Sequence, residues 1–304
     1  MLSKLYHFEE EKECAKNNID KLMIAIKSYF EKKNMNVQIK YKEDTVGTLG
    51  IIFELELNRK KMYVKTHQIG ESYRYNLKKE IMIMQFLYGD IIELYEIDIK
   101  LNDDYITFFI MDELEELDEP LSCDEIRLLI KSYSEKLSNF KVNEESIKYT
   151  QWNDIYNFSN IQKKASEVLK FFIDNNIISK KLYCKINEIF LLSDSIKFKK
   201  CICHGDLSNK NILKKNGKLI VIDWEDSILG VDSYDINYWM TFFEQRKYYK
   251  LEIFRKYNLN NEKNLYLMSV ITVIKCYLSY INGSYLKNKI SIEDRLWEIL
   301  RIFT

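Results

Sequence analysis

The residues best placed to do chemistry are His204, Asp206 and Asn211 in the run Cys203-His204-Gly205-Asp206-Leu207-Ser208-Asn209-Lys210-Asn211-Ile212-Leu213, together with Asp223 at the end of the apolar run Leu219-Ile220-Val221-Ile222. A loop carboxylate can receive or orient the proton of an attacking hydroxyl. An amide oxygen and a second carboxylate nearby offer hard oxygen ligands to a divalent cation. A base beside such ligands suits the transfer of a phosphoryl group from a nucleotide. A single Asp or Asn in a loop ordinarily makes a turn or a cap. What favours chemistry is the joint spacing, with Asp206 five residues before Asn211 and one strand before Asp223. His204 reads as a residue that organises the loop by bonding backbone near Asp223, with no catalytic role of its own.

Side chains with such tasks need a frame, and hydrophobic periodicity supplies its outline. From Glu10 to about Lys33, Ile19, Leu22, Met23, Ile26 and Phe30 fall at helical spacing. Short alternating segments come next at 37–41, 51–57 and 62–65, then a helix over 75–87, then apolar segments at 91–99 and 105–111 that complete a five-stranded antiparallel sheet. An acidic stretch from Asp112 to Glu125, holding the single proline Pro120, marks the boundary between this sheet and the second half of the chain. Beyond it the spacing predicts helices over 126–140, 161–175, 181–192, 234–257, 265–282 and 292–303, interrupted by one strand pair around Cys201 and 219–222. The class is α+β, a sheet followed by a mainly helical half.

The runs His204-Gly205-Asp206-Leu207 to Asn211-Ile212-Leu213, Ile222-Asp223-Trp224-Glu225-Asp226 and Gly230-Val231-Asp232-Ser233-Tyr234-Asp235-Ile236 resemble the aminoglycoside phosphotransferase and choline kinase superfamily. In that family His-Gly-Asp-Leu-x-x-x-Asn is the catalytic loop, Ile-Asp-Trp/Phe-Glu supplies the metal-binding Asp, and Gly-Asp-Pro-x-x-Asp-Leu comes after it. This chain departs from the pattern at Ser208, where His is frequent, and at Val231-Asp232-Ser233, which replaces the commoner Asp-Pro.

The resemblance implies a protein-kinase-like, two-lobed fold. Its parts are a nucleotide-binding lobe over 1–111, a hinge at 112–118, and a helical lobe over 119–304 with the catalytic loop at 204–211 and the metal-binding segment at 222–226. It implies Asp206 as the catalytic residue, Asn211 and Asp223 as Mg2+ ligands, and ATP or GTP as donor. In the first lobe, Gly47 and Gly50 of Thr45-Val46-Gly47-Thr48-Leu49-Gly50 match the second half of a Gly-x-Gly-x-x-Gly turn whose first glycine is missing. Hairpin turns use glycine too. Lys65 ends the third strand, where its ammonium can reach the α- and β-phosphates, although a solvated strand-end lysine is the plainer alternative. Glu80 lies at the right distance to pair with Lys65, with Glu71 a competing partner. The Asp112 carbonyl and the Leu114 amide correspond to the hinge backbone that reads the purine.

Forty-six basic residues balance forty-six acidic ones, so there is no long-range field to draw in a nucleic acid. Six scattered cysteines without a Cys-x-x-Cys pair read as reduced thiols. No apolar signal core or uninterrupted run of about 18–20 apolar residues is visible, so a cytoplasmic chain is expected. The acceptor is expected to be a small hydroxylated molecule. The acids after the hinge, with Glu225 and Asp226, favour a cationic acceptor, but a solvated linker accounts for the same charges. Tyr234, Tyr238, Trp239, Phe242 and Phe243 can cage a quaternary ammonium, yet helical spacing suits core packing better. Two other readings stand beside this one. A non-enzymatic kinase-fold scaffold accounts for the incomplete glycine turn, and a protein Ser/Thr kinase is disfavoured because no Ala-Pro-Glu segment comes after Asp223.

Overall fold

The structure is a computed structural model and describes residues 10–42, 50–67, 71–101, 104–141, 150–152, 156–256, 261–287 and 290–303. Helix α1 (Glu10–Glu31) leads into β1 (Val37–Tyr41), β2 (Ile51–Leu57) and β3 (Lys60–Thr66). Helix α2 (Glu71–Tyr88) comes next, and β4 (Leu94–Leu101) and β5 (Asp104–Asp112) close the first lobe. The strands form one antiparallel sheet in the order β1-β2-β3-β5-β4.

Strand alternation explains how the sheet is covered. Ile51, Phe53, Leu55 and Leu57 of β2 and Ile106, Phe108 and Ile110 of β5 share a core with Leu22, Ile26 and Phe30 of α1, residues four apart on one helical stripe. Phe109 belongs instead to the core of Leu77, Ile81 and Met84 from α2. The sheet therefore lies between α1 and α2. Lys65 pairs across strands with Phe109 and so projects to the α2 side.

The second lobe holds α3 (Cys123–Leu137), α4 (Phe158–Asp174), α5 (Lys180–Leu191), α6 (Tyr234–Met240), α7 (Leu251–Lys256), α8 (Asn261–Ile281) and α9 (Ile292–Ile302). Helix α3 begins at Cys123 rather than near Ile126 because Ser122 and Glu125 form a reciprocal capping box. Part of the acidic stretch is thus a helix cap, and Asp118 meets Lys214 at 2.7 Å. Helix α8 is long and apolar enough to cross a membrane, which run length alone does not reveal, but 67% of its apolar window is buried inside the lobe.

Two expectations are corrected. The single strand pair is two separate ribbons, β6 (Lys200–Cys203) with β9 (Ile228–Val231) and β7 (Ile212–Lys215) with β8 (Lys218–Val221). Asn216 and Gly217, both at positive φ, close the tight β7–β8 turn, so the apolar run after Lys218 pairs with its own neighbour and not with Cys201. The helix expected over 234–257 breaks after α6 into a 3-10 segment (Phe243–Tyr248) and α7. Phe242 is extended at ψ 147, and Arg295 Nη2 donates to the Thr241 carbonyl at 2.9 Å, an acceptor that a continuing helix needs.

Candidate active site

The loop from His204 to Asn211 leaves β6, and contacts on both sides set its shape. Gly205 has φ +83, and a Cβ there would stand 2.0 Å from the Asp226 carbonyl oxygen, so this position accepts only glycine. The His204 ring bridges the loop, accepting from the Asp206 amide at Nδ1 (3.2 Å) and meeting the Ile222 carbonyl through Nε2 (2.8 Å). Asp235 of α6 accepts from the amides of His204 (2.9 Å) and Gly205 (3.2 Å) and from the Tyr133 hydroxyl (2.6 Å). Burial pushes the Asp235 carboxyl up from its ordinary value, and these donors together with His204 oppose the push.

Asp206 and Asn211 are joined directly, Asn211 Nδ2 donating to the Asp206 carbonyl at 3.0 Å. That bond turns the amide oxygen of Asn211 away from Asp206. The Ile222 amide donates to the Asn211 carbonyl at 2.9 Å, which brings Asp223 beside Asn211 across the β7–β8 ribbon. Asp223 itself adopts a left-handed conformation, φ 67 and ψ 48, a cost of about 1–3 kcal/mol for a residue other than glycine. Glu80 helps to hold it there, Oε1 accepting the Asp223 amide at 3.1 Å.

Lys65 meets three carboxylates at once, with Nζ 2.7 Å from Glu80, 2.6 Å from Asp223 Oδ1 and 3.3 Å from Glu225. Burial pulls the Lys65 ammonium down, but Asp223, Glu225 and Glu80 outweigh it and hold it well above its ordinary value. The carboxylates divide this stabilisation unequally. Burial pushes Glu225 up, yet Lys65 and His67, whose Nε2 lies 3.1 Å away, bring it well below its ordinary value. Glu80 is raised, because burial and the two neighbouring carboxylates exceed what Lys65 returns.

Gly50 lies against this lysine. A Cβ at Gly50 would come 2.9 Å from Lys65 Cε, on a side chain that three carboxylates already pin. Gly47 lies outside the described residues, and Glu71 is the first residue of α2. Of the two residues expected at the hinge, Asp112 ends β5 and Leu114 is buried just before Glu115, which forms a β-bridge with Lys214. The Asp112 side chain ties strands together: Lys60 lies 2.5 Å and Lys215 3.7 Å from its carboxylate, which also accepts the Glu93 amide at 3.0 Å.

The donor set fits a hard divalent cation. Glu80, Asp223 and Glu225 each present an oxygen within 4.8 Å of the others. Asp223 is the most exposed of the three carboxylates and binds Lys65 through Oδ1, so Oδ2 is the oxygen available to a metal.

Glu225 and Asp226 do not serve as an attraction for a cationic acceptor, because both are buried and Glu225 is held by Lys65 and His67. The aromatic set of α6 is mostly core, with Tyr234, Tyr238 and Trp239 buried. Tyr238 does more than pack, since its hydroxyl donates to Asp206 Oδ1, and Trp239 Nε1 donates to Asn209 at 2.9 Å. Sequence reasoning does not single out His67 or Lys79. His67 stands two residues after Lys65, the period that places both side chains on one sheet face, and that spacing is the signal that could have found it.

A five-stranded antiparallel lobe joined to a helical lobe, with a lysine–glutamate pair facing a loop Asp and a strand-end Asp, is the protein-kinase-like fold of the aminoglycoside phosphotransferases. The profile of the phosphotransferase enzyme family matches residues 185–258, the segment that carries Asp206, Asn211 and Asp223. Among solved structures, a GDP complex of a mutant aminoglycoside 2'-phosphotransferase-IIIa aligns with TM-score 0.61 at 15% identity, over 93% of this chain and 95% of that one. Aminoglycoside phosphotransferase APH(4)-Ia aligns with TM-score 0.59 at 12% identity, over 92% and 97%. A choline/ethanolamine kinase family protein from Mesorhizobium loti aligns with TM-score 0.52 at 11% identity, over 87% and 86%. No curated protein matches this chain by sequence. The profile covers the segment of Asp206, Asn211 and Asp223, and these neighbours, at 15% identity or below, share the fold.

Proposed function

We propose that this chain moves the γ-phosphoryl group of ATP or GTP onto a hydroxyl of a small-molecule acceptor, with Asp206 receiving the hydroxyl proton. The observation that carries the reading is the joining of both lobes at one point. Lys65 and Glu80 from the first lobe hold Asp223 of the second, and Asp223 sits beside the loop that joins Asn211 to Asp206. The acceptor oxygen attacks the γ-phosphorus as the bond to the β–γ bridging oxygen breaks, and Asp206 takes the proton. Lys65, kept charged by its carboxylates, neutralises the α- and β-phosphates. Asn211 and Asp223 would hold Mg2+, which supplies charge neutralisation on the phosphates. The Asp112 carbonyl and Leu114 amide read the base, and Gly47 and Gly50 let the chain approach the phosphates.

Neighbouring structures contain GDP, ADP or AMP-PNP, and APH(4)-Ia and APH(9)-Ia are seen with hygromycin B and spectinomycin. These make aminoglycosides the first acceptors to try, with amino alcohols, sugars and nucleosides after them. The free thiols of the described residues suit a reducing cytoplasm. The test is coupled ADP or GDP release with Mg2+ across those acceptors. Asp206→Ala is expected to lower turnover by about 10²–10⁴-fold while nucleotide binding persists. Turnover at the wild-type rate in Asp206→Ala would refute the assignment.

A further inference from the structure

Helix α6 grips the catalytic loop with three residues on one face. Asp235 holds the loop backbone, Tyr238 three residues on donates to Asp206 Oδ1, and Trp239 four residues on donates to Asn209. Asp235 and Trp239 bond groups that take no part in the reaction. Tyr238 bonds the reacting carboxylate itself. We propose that Tyr238 is a positioning residue that guards Asp206, occupying one carboxylate oxygen so that water bound in place of an acceptor is a poor nucleophile.

The geometry gives this hydroxyl little freedom. Tyr238 is buried, stacked with Tyr234 at 6.1 Å between centroids and set edge-on to Phe242 at 5.7 Å. The Lys275 ammonium lies 3.7 Å from the Tyr238 ring centroid and 3.4 Å from that of Phe242, and it also donates to the Tyr238 carbonyl at 3.3 Å. Burial, then the Asp206 charge, push the Tyr238 phenol well above its ordinary value, so it keeps its proton and donates. A carboxylate that already accepts a charge-assisted bond at Oδ1 is a weaker base. An acceptor held by its own contacts in the cleft stays in a reacting position beside this weakened base, whereas a loosely bound water is not held there.

The reaction being suppressed is hydrolysis. In it a water oxygen attacks the γ-phosphorus, the bond to the β–γ bridging oxygen breaks, the water proton passes to Asp206, and nucleoside diphosphate and phosphate leave. Tyr238 undergoes no covalent change.

The inference rests on Asp206 being the base proposed above, and its test needs no knowledge of the acceptor. Diphosphate release from Mg-ATP and Mg-GTP without acceptor is measured for the wild type, Tyr238→Phe, Lys275→Met and Asp206→Asn. Tyr238→Phe is expected to raise hydrolysis about tenfold to a hundredfold with the nucleotide KM unchanged, the size of losing one hydrogen bond to a charged group. A residue that merely supports the fold would lower the rate. Lys275→Met, which keeps the hydroxyl and removes the cation from the ring, raises it less, and carries the test if Tyr238→Phe fails to fold. A wild-type rate no higher than that of Asp206→Asn refutes the role of Asp206, and the guard with it. An Asp206-dependent wild-type rate that Tyr238→Phe leaves flat or lowers overturns the guard alone, as does a flat rate in Lys275→Met if only that variant folds.

Discussion

Replacing Lys65 by Met keeps the length of the side chain and removes the ammonium from among Glu80, Asp223 and Glu225. Glu80 and Glu225 have side chains only 3% and 8% exposed, so water cannot take the place of the ammonium 2.7 and 3.3 Å away. Taking one partner out of a buried ion pair costs about 3–5 kcal/mol. Asp223, at 34% exposure, recovers part of its hydration, and protonation of Glu80, already favoured by burial, relieves more. The expected loss therefore lies at the low end, about 3 kcal/mol. At about 2 °C per kcal/mol for a chain of this size, Tm falls by about 6 °C. The three carboxylate oxygens within 4.8 Å of one another then form a site with no resident cation, so millimolar MgCl2 raises the Tm of the variant more than that of the wild type. Differential scanning fluorimetry with and without MgCl2 measures both effects. If Lys65→Met melts with the wild type, or gains no more from Mg2+, then Lys65 is not the charge that lets these carboxylates coexist.

Gly205→Ala places a methyl group 2.0 Å from the Asp226 carbonyl at φ +83, so it adds a left-handed cost of about 1–2 kcal/mol to a backbone clash. The urea midpoint should fall and turnover with it, and a variant matching the wild type in both contradicts the packing described. Lys79 is fully buried, donates to the Ser227 carbonyl at 3.0 Å and lies 3.4 Å from the Tyr156 ring centroid. Burial pulls its ammonium well below 10.5, so between that lowered value and 10.5 the unfolded chain binds a proton that the folded chain does not. Wild-type stability thus rises with pH across this window, and the lysine costs stability below it. Lys79→Met removes the slope, while Trp152 Nε1 still donates to Ser227 at 3.2 Å. Urea midpoints measured over pH should favour the variant increasingly as pH falls from 10.5; a constant difference refutes the assignment.

The five strands and the order of the elements are legible in the sequence because β2 alternates, β5 is a short apolar run and α1 repeats at four residues, local patterns that burial imposes on any sequence. The Lys65–Glu80 pair is legible only through the family resemblance, because periodicity alone leaves Lys65 a solvated strand-end lysine and Glu71 a competing partner. The pairing of Cys201 is not, because nothing in a four-residue apolar run states its partner, and the turn at Asn216-Gly217 gives Leu219 to Ile220 a nearer one. Glu225 and Asp226 mislead in another way. Acidic residues next to a reacting Asp look like a surface for cations, and only the fold shows Lys65 and His67 occupying Glu225. Tyr238 reads as packing in the sequence because an aromatic at core spacing gives no sign of what its hydroxyl touches.

The joining of the lobes can be traced to two adjacent residues. Lys79 and Glu80 project about 100° apart on α2, and each takes hold of the segment after β8 at a different point. Glu80 accepts the Asp223 amide and pairs with Lys65, while Lys79 reaches the Ser227 carbonyl four residues later. At the other end of the helix the Tyr88 hydroxyl accepts the Val221 amide at 3.1 Å. Helix α2 is therefore fastened to residues 221–227 along its length, by bonds that lie largely out of water and so are costly to break. A swing of α2 that separated Glu80 from Lys65 would also have to expose the Lys79 amine and free the Val221 and Asp223 amides. The lysine–glutamate pair is thereby coupled to the folding of 221–227 and not to an independent movement of the helix, which makes the pair a fixed part of the fold.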